Sequence, residues 1–192
     1  MIALMTLMIA GAAEQPVGTD APPIVMAGAV PAETSLLIGV GLAPGLFRGD
    51  PQVSVAPGLR ANAVVAIDRW SGATGWGLRA DAAIGSGMFC EATGSGQLSA
   101  MALKRMDKPH VRPFIGGGGT LALNGVPTVP DCRFLVSSPS SRLRVVPSVG
   151  LRGEAGVDIA SEGFRARIAV VSRADTVGQF TIGPDVMLGW GW

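Results

Sequence analysis

At 192 residues the chain suits one core or one closed sheet and leaves little room for a second domain. Only 15% of residues are charged and the formal net charge is +1, which gives no reason to expect nucleic acid or another polyanion as a partner. Mean hydropathy is +0.42, high enough for membrane helices, yet no internal stretch supplies the about 20 consecutive apolar residues that a spanning helix needs.

The chain opens on an apolar run, Ile2 to Ala10, followed by the small residues Gly11, Ala12 and Ala13. This pattern predicts a signal peptide over 1–13, cut near Ala12 or Ala13, although no Lys or Arg precedes the apolar run. A buried N-terminal helix is the alternative. Residues 14–33, rich in proline and small side chains, read as an irregular lead-in.

From Thr34 the chain alternates extended runs with turn signals, and its 28 glycines disfavour helices, each costing a helix interior roughly 1 kcal/mol against alanine. A strand crosses a bilayer in about 9–11 residues and needs apolar side chains only at alternate positions. The first run, Thr34 to Leu46, sets Leu36, Ile38, Val40 and Leu42 against Gly39, Gly41 and Ala43. The second, Val53 to Arg69, sets Val55, Leu59, Ala63, Val65 and Ile67 against Arg60, Asn62 and Asp68. In the third, Trp76, Leu78, Ala80 and Ile84 oppose Gly77, Arg79, Asp81 and Gly85. The fourth, Gln97 to Arg105, does not reveal which parity faces which way. The fifth, Val111 to Leu123, opposes Val111, Ile115 and Leu121 to Arg112, Gly116 and Thr120.

The sixth opposes Leu143, Val145, Val149, Leu151, Val157 and Ile159 to Arg144, Ser148, Arg152, Glu154 and Asp158. The seventh opposes Phe164, Ala166, Ile168 and Val170 to Arg165, Arg167 and Arg173. The eighth is the clearest, with Phe180, Ile182, Val186, Leu188, Trp190 and Trp192 on one parity and Thr181, Gly183, Asp185, Gly189 and Gly191 on the other. Eight such runs predict an all-β, eight-stranded antiparallel up-and-down transmembrane β-barrel over 34–192. A soluble lipocalin-like barrel is the runner-up and would turn the apolar parity inward. Connections at Trp70–Thr74, Asp107–His110 and Ser161–Gly163 are brief and Leu123–Arg142 is long, as expected for short inner turns and longer outer loops. Trp70, Trp76, Trp190 and Trp192 then fall at the short-turn rim, where aromatic girdles sit.

Three stretches carry a likeness to a known family. Val-Arg-Pro-Phe-Ile-Gly-Gly-Gly-Gly from Val111, the glycine-alternating strand Pro147 to Asp158, and the alternating C-terminal residues Val186, Leu188, Trp190 and Trp192 resemble the small eight-stranded outer-membrane barrels of the OmpA/OmpX type. The resemblance implies a Gram-negative outer-membrane location reached through the periplasm, contact with outer-membrane lipid, and recognition of the C-terminal pattern by the barrel-assembly machinery. It transfers no functional residue, because architecture rather than chemistry unites that family.

Arg60, Arg79, Asp81, Arg112, Arg152, Glu154, Asp158, Arg165, Arg167 and Asp185 are expected to face the lumen, where charges must pair or be hydrated. Eight strands leave an interior just wide enough for side chains, which favours a plug of ion pairs over a conduit. Cys90 and Cys132 fall in two outer loops of an oxidising compartment and are expected to form a disulfide, with two unpaired thiols as the alternative. Gly116–Gly119 lacks the Gly-Lys-Ser/Thr and the helix start of a phosphate loop. His110, the single histidine, has no further ligands near it in sequence for a metal and no convincing serine-and-acid arrangement for catalysis. The reading is therefore a non-enzymatic barrel without cofactor or metal, whose outer loops meet a surface partner. A small pore and a lipid-modifying barrel enzyme are the alternatives.

Overall fold

The computed structural model describes residues 32–47, 56–87, 93–106, 108–127 and 143–192. The strands are β1 (Glu33–Phe47), β2 (Ala56–Ser71), β3 (Thr74–Gly87), β4 (Thr93–Arg105), β5 (Val111–Pro127), β6 (Leu143–Ser161), β7 (Phe164–Asp175) and β8 (Phe180–Gly191). Each pairs antiparallel with its sequence neighbour, and β1 pairs with β8 to close the barrel. At that seam the amides of Thr34 and Trp192 each donate to the other's carbonyl at 2.8 Å.

The β2–β3, β4–β5 and β6–β7 connections gather at one end, with the start of β1 and the end of β8. Gly163 closes the β6–β7 turn at φ 86°, a left-handed geometry that glycine adopts without steric cost. The opposite end carries the connections 48–55, 88–92 and 128–142 and the short β7–β8 turn at 176–179.

Side-chain parity runs through the whole sheet. Ile38, Val40, Leu98, Leu121, Val149, Leu151 and Leu188 point outward and are exposed, while Arg79, Asp81, Arg152, Glu154, Arg167 and Asp185 point inward and are buried. The soluble lipocalin-like alternative required the reverse and is excluded by this orientation. β4 resolves with Leu98, Ala100 and Ala102 outward and Gln97, Ser99, Met101 and Leu103 inward. Its sequence is ambiguous because both faces are partly apolar.

The interior is not uniformly polar. Trp70, Met101, Leu103, Phe114, Ala169 and Val171 form one buried apolar cluster, and Leu37, Val64, Ala66 and Met187 form another. Trp70 therefore packs inside, beside Phe114, and does not belong to the outward girdle expected of the tryptophans; Trp76, Trp190 and Trp192 do face outward. The glycines of β5 serve close packing: a Cβ on Gly118 would strike the carbonyl oxygen of Ala100 on β4, while one on Gly119 would meet open space outside. The tetrad lies within a strand that continues to Pro127.

Candidate functional site: the charged lumen

Among the described residues, chemistry-bearing side chains converge in the lumen, and alternation delivers them there. Every second residue of each strand points to the axis, and on β2, β3, β6, β7 and β8 those positions hold most of the arginines and acids.

At the short-turn end, Glu33 accepts hydrogen bonds from Arg105 Nη2 at 3.0 Å and Arg112 Nη1 at 2.8 Å and also pairs with Arg165. Arg105 lies over the Trp70 ring, 4.6 Å from its centroid. Glu33 is the first residue of β1 rather than the last of an irregular lead-in, and sequence reading missed its role. The available signal was its parity with Ser35 and Leu37, both buried.

One level further in, Asp68 pairs with Arg79 and, at 2.6 Å, with Arg167. Arg79 donates from Nε and Nη2 to the Glu154 carboxylate at 3.1 and 3.0 Å, spanning from β3 to β6. Arg167 grips Asp158 with two parallel bonds, Nε to Oδ1 at 2.5 Å and Nη2 to Oδ2 at 2.9 Å, and lies 4.3 Å from the Phe114 ring centroid. Above them Arg152 pairs with Asp81, donates to Glu154 at 2.7 Å and reaches Asp185 at 3.4 Å. Arg173 donates from Nη2 to Asp185 at 2.8 Å and to Asp81 at 3.2 Å. Asp68 and Arg173 extend the network beyond the ten residues nominated from sequence.

Toward the long-loop end neutral polar side chains join the lining beside Arg60 and Asp175. Ser99 and Thr120 share a 2.9 Å hydrogen bond, and Asn124 donates to Ser148 at 2.7 Å. Arg60 is buried beside Gln97; with the Gln97 amide oxygen turned toward the guanidinium, it accepts from Nη2 and Nη1 at 3.1 and 3.2 Å.

These pairs join opposite walls across the axis, so arginines from β3, β6 and β7 fill the space that a conduit would need. Removing a buried ion from water costs several kcal/mol unless a partner and further hydrogen bonds compensate, and bidentate arginines supply both. The candidate residues therefore divide by location. Arg79, Asp81, Arg152, Glu154, Asp158, Arg167 and Asp185 meet in the central network, Arg112 and Arg165 join Glu33 at the rim, and Arg60 stands apart. Cys90 and Cys132 lie outside the described residues. His110 is exposed in the β4–β5 connection, its carbonyl accepting from the Ala160 amide at 2.9 Å. Among the described residues no group of three His, Cys, Asp or Glu side chains is placed to hold a metal.

On the outer surface Val186, Leu188, Trp190 and Trp192 form one row on β8 and its end, with Leu188 53% and Trp190 63% exposed. A closed eight-stranded barrel with a charged interior and an apolar exterior is the reverse of a water-soluble barrel. The chain has the fold of a small outer-membrane β-barrel. The N-terminal β-barrel domain of OprF from Pseudomonas aeruginosa superposes on it with a TM-score of 0.51 at 13% identity, covering 83% of this chain and 97% of that one. Neisserial surface protein A gives 0.50 at 12% identity, covering 84% and 96%. No family model and no curated protein matches the barrel. At such identities the likeness is one of fold.

Proposed function

We propose that this chain is a Gram-negative outer-membrane barrel whose interior is locked by ion pairs and whose work is done outside it. In this reading the barrel is a rigid, non-enzymatic mount for the loops at its long-loop end, chiefly the connection 128–142, which meets a surface partner. The observation that carries the reading is the set of pairs crossing the lumen, Arg79 to Glu154, Arg152 to Asp81 and Arg173 to Asp81, formed between walls that a pore would keep apart.

The apolar exterior supports contact with lipid. Strands of 12 to 19 residues also exceed the about 9–11 that one crossing requires, so their ends project past the hydrocarbon. The outward row Val186, Leu188, Trp190 and Trp192 supports handling by the barrel-assembly machinery, with residues 1–13 as the export signal. In the oxidising compartment this implies, Cys90 and Cys132 would join two outer loops as a disulfide; two titratable thiols in unreduced protein would remove that link.

The test is reconstitution in a planar bilayer beside gel migration with and without heating. A heat-modifiable compact band without steady conductance is expected. Stable open channels would replace the mount with a small pore.

A further inference from the structure

Two outward cations stand on one arc of the short-turn end. Arg69 on β2 and Lys104 on β4 are exposed, and neither forms an ion pair among the described residues. Between them on β3 stands Trp76, 49% exposed, directly opposite Arg69 in register and one diagonal step from Lys104, which is opposite Thr74. The acidic side chains described at this end point elsewhere: Glu33 and Asp68 face the interior, and Glu162 belongs to the β6–β7 turn on the far wall. Around the rest of the same rim the outward face is apolar, as at Val111, Ile159, Phe164 and Trp190.

Beside Arg69 and Trp76 the surface sinks into a depression of about 320 Å³, lined also by Ser71 and Thr74, with no acidic side chain in its wall. The Thr74 hydroxyl donates only to the Ser71 carbonyl at 3.5 Å, a long contact that a closer acceptor would replace. Toward mid-height the same strands turn apolar: Ile67 is the next outward residue after Arg69 and Leu78 the next after Trp76, and both are exposed. Snorkelling of a long cation toward water accounts for a single such residue at a membrane interface and leaves the hydroxyl-lined depression without a use. A free phosphate or a protein carboxylate would satisfy the guanidinium alone. A molecule with an anionic head and acyl chains satisfies the cations and covers the apolar strip below them at once.

We propose that this arc is a binding site for one anionic glycerophospholipid of the inner leaflet. Its phosphodiester is held by Arg69, with Lys104 as the second cation and the Thr74 hydroxyl as a further donor, and its acyl chains lie on Ile67 and Leu78. Trp76 stands at the level between head and chains, where indoles sit in bilayers. The inference rests on the membrane reading of the barrel and turns its general contact with lipid into one site of stated charge and place.

The probe is phosphatidylglycerol doped into the detergent micelles that hold the folded barrel, with phosphatidylcholine, whose headgroup has no net charge, as the control. The midpoint at which the compact band converts to the unfolded band is expected to be roughly 3 °C higher in phosphatidylglycerol. Arg69→Gln should lose that increment, and Thr74→Val, which alters no charge, should reduce it. Lys108→Gln removes an exposed cation from the β4–β5 connection at the same end, outside the depression, and should keep the increment. Glycerol phosphate, a comparable head without acyl chains, should leave the midpoint unchanged. Equal midpoints of the unaltered protein in the two lipids, a loss in Lys108→Gln as large as in Arg69→Gln, or an equal rise with glycerol phosphate would overturn the site. The compact band in phosphatidylcholine reports the closed barrel by itself, so failure here leaves the reading of the barrel intact.

Discussion

Asp81 accepts from Asn62 and pairs with Arg152 and Arg173, so its loss takes one carboxylate partner from each of two buried guanidinium groups, leaving Arg152 with Glu154 and Asp185 and Arg173 with Asp185. Asp81→Asn is expected to destabilise the barrel by about 3–5 kcal/mol, the range found when one partner of a buried pair is removed. Chemical unfolding of the detergent-folded protein, followed by tryptophan fluorescence, would measure it. The double variant Asp81→Leu with Arg152→Met should lose less than the sum of the two single changes. In the double variant Arg173 keeps Asp185, and Glu154 keeps Arg79. Additive losses would show that Asp81 and Arg152 do not act as a pair. Leu103 tests the apolar part of the interior: it is buried with Trp70 and Phe114, and Leu103→Ala is expected to cost about 2–5 kcal/mol through the cavity it leaves.

β5 shows how one strand manages two environments with glycine. Gly118 faces inward against the β4 backbone, and Gly119 faces outward with nothing within 4 Å of an added Cβ. Gly118→Val should prevent β4 and β5 from keeping their register and abolish the compact band. Gly119→Ala, one residue along, should stay within about 0.5 kcal/mol of the unaltered protein. Equal behaviour of the two variants would contradict the close approach of Gly118 to Ala100. In β8 the outward row ends in Trp190 and Trp192; replacing both by serine is expected to slow membrane insertion in cells while leaving refolding into detergent largely unchanged, and pulse-chase acquisition of the compact band would separate the two effects.

For the molecule as a whole, the decisive property is that the greasy surface is outside. Leu121 lies near mid-height on β5, between Leu98 on β4 and Val149 on β6, and all three are exposed. Leu121→Arg is expected to cost about 2–4 kcal/mol in a bilayer, because the guanidinium would sit at the depth of the acyl chains. The same change on a barrel surrounded by water would be close to neutral. Folding titrations in lipid vesicles would distinguish the two.

Much of this was legible in the chain because β alternation is a local property. Which residues share a face follows from parity alone, so runs such as Phe180 to Trp192 announced their two sides, and the turn spacing announced the strand count. β4 resisted because Met101 and Leu103 on one parity are as apolar as Leu98 and Ala100 on the other. Trp70 was assigned to a girdle by its level, whereas its parity places it inside. The pairing of charges required closure. Arg79 and Glu154 are 75 residues apart, and they meet because β1 joins β8 and brings the β3 and β6 walls face to face across a narrow axis. Parity tells a side chain to point inward; the circumference and stagger of the closed sheet choose what it finds there.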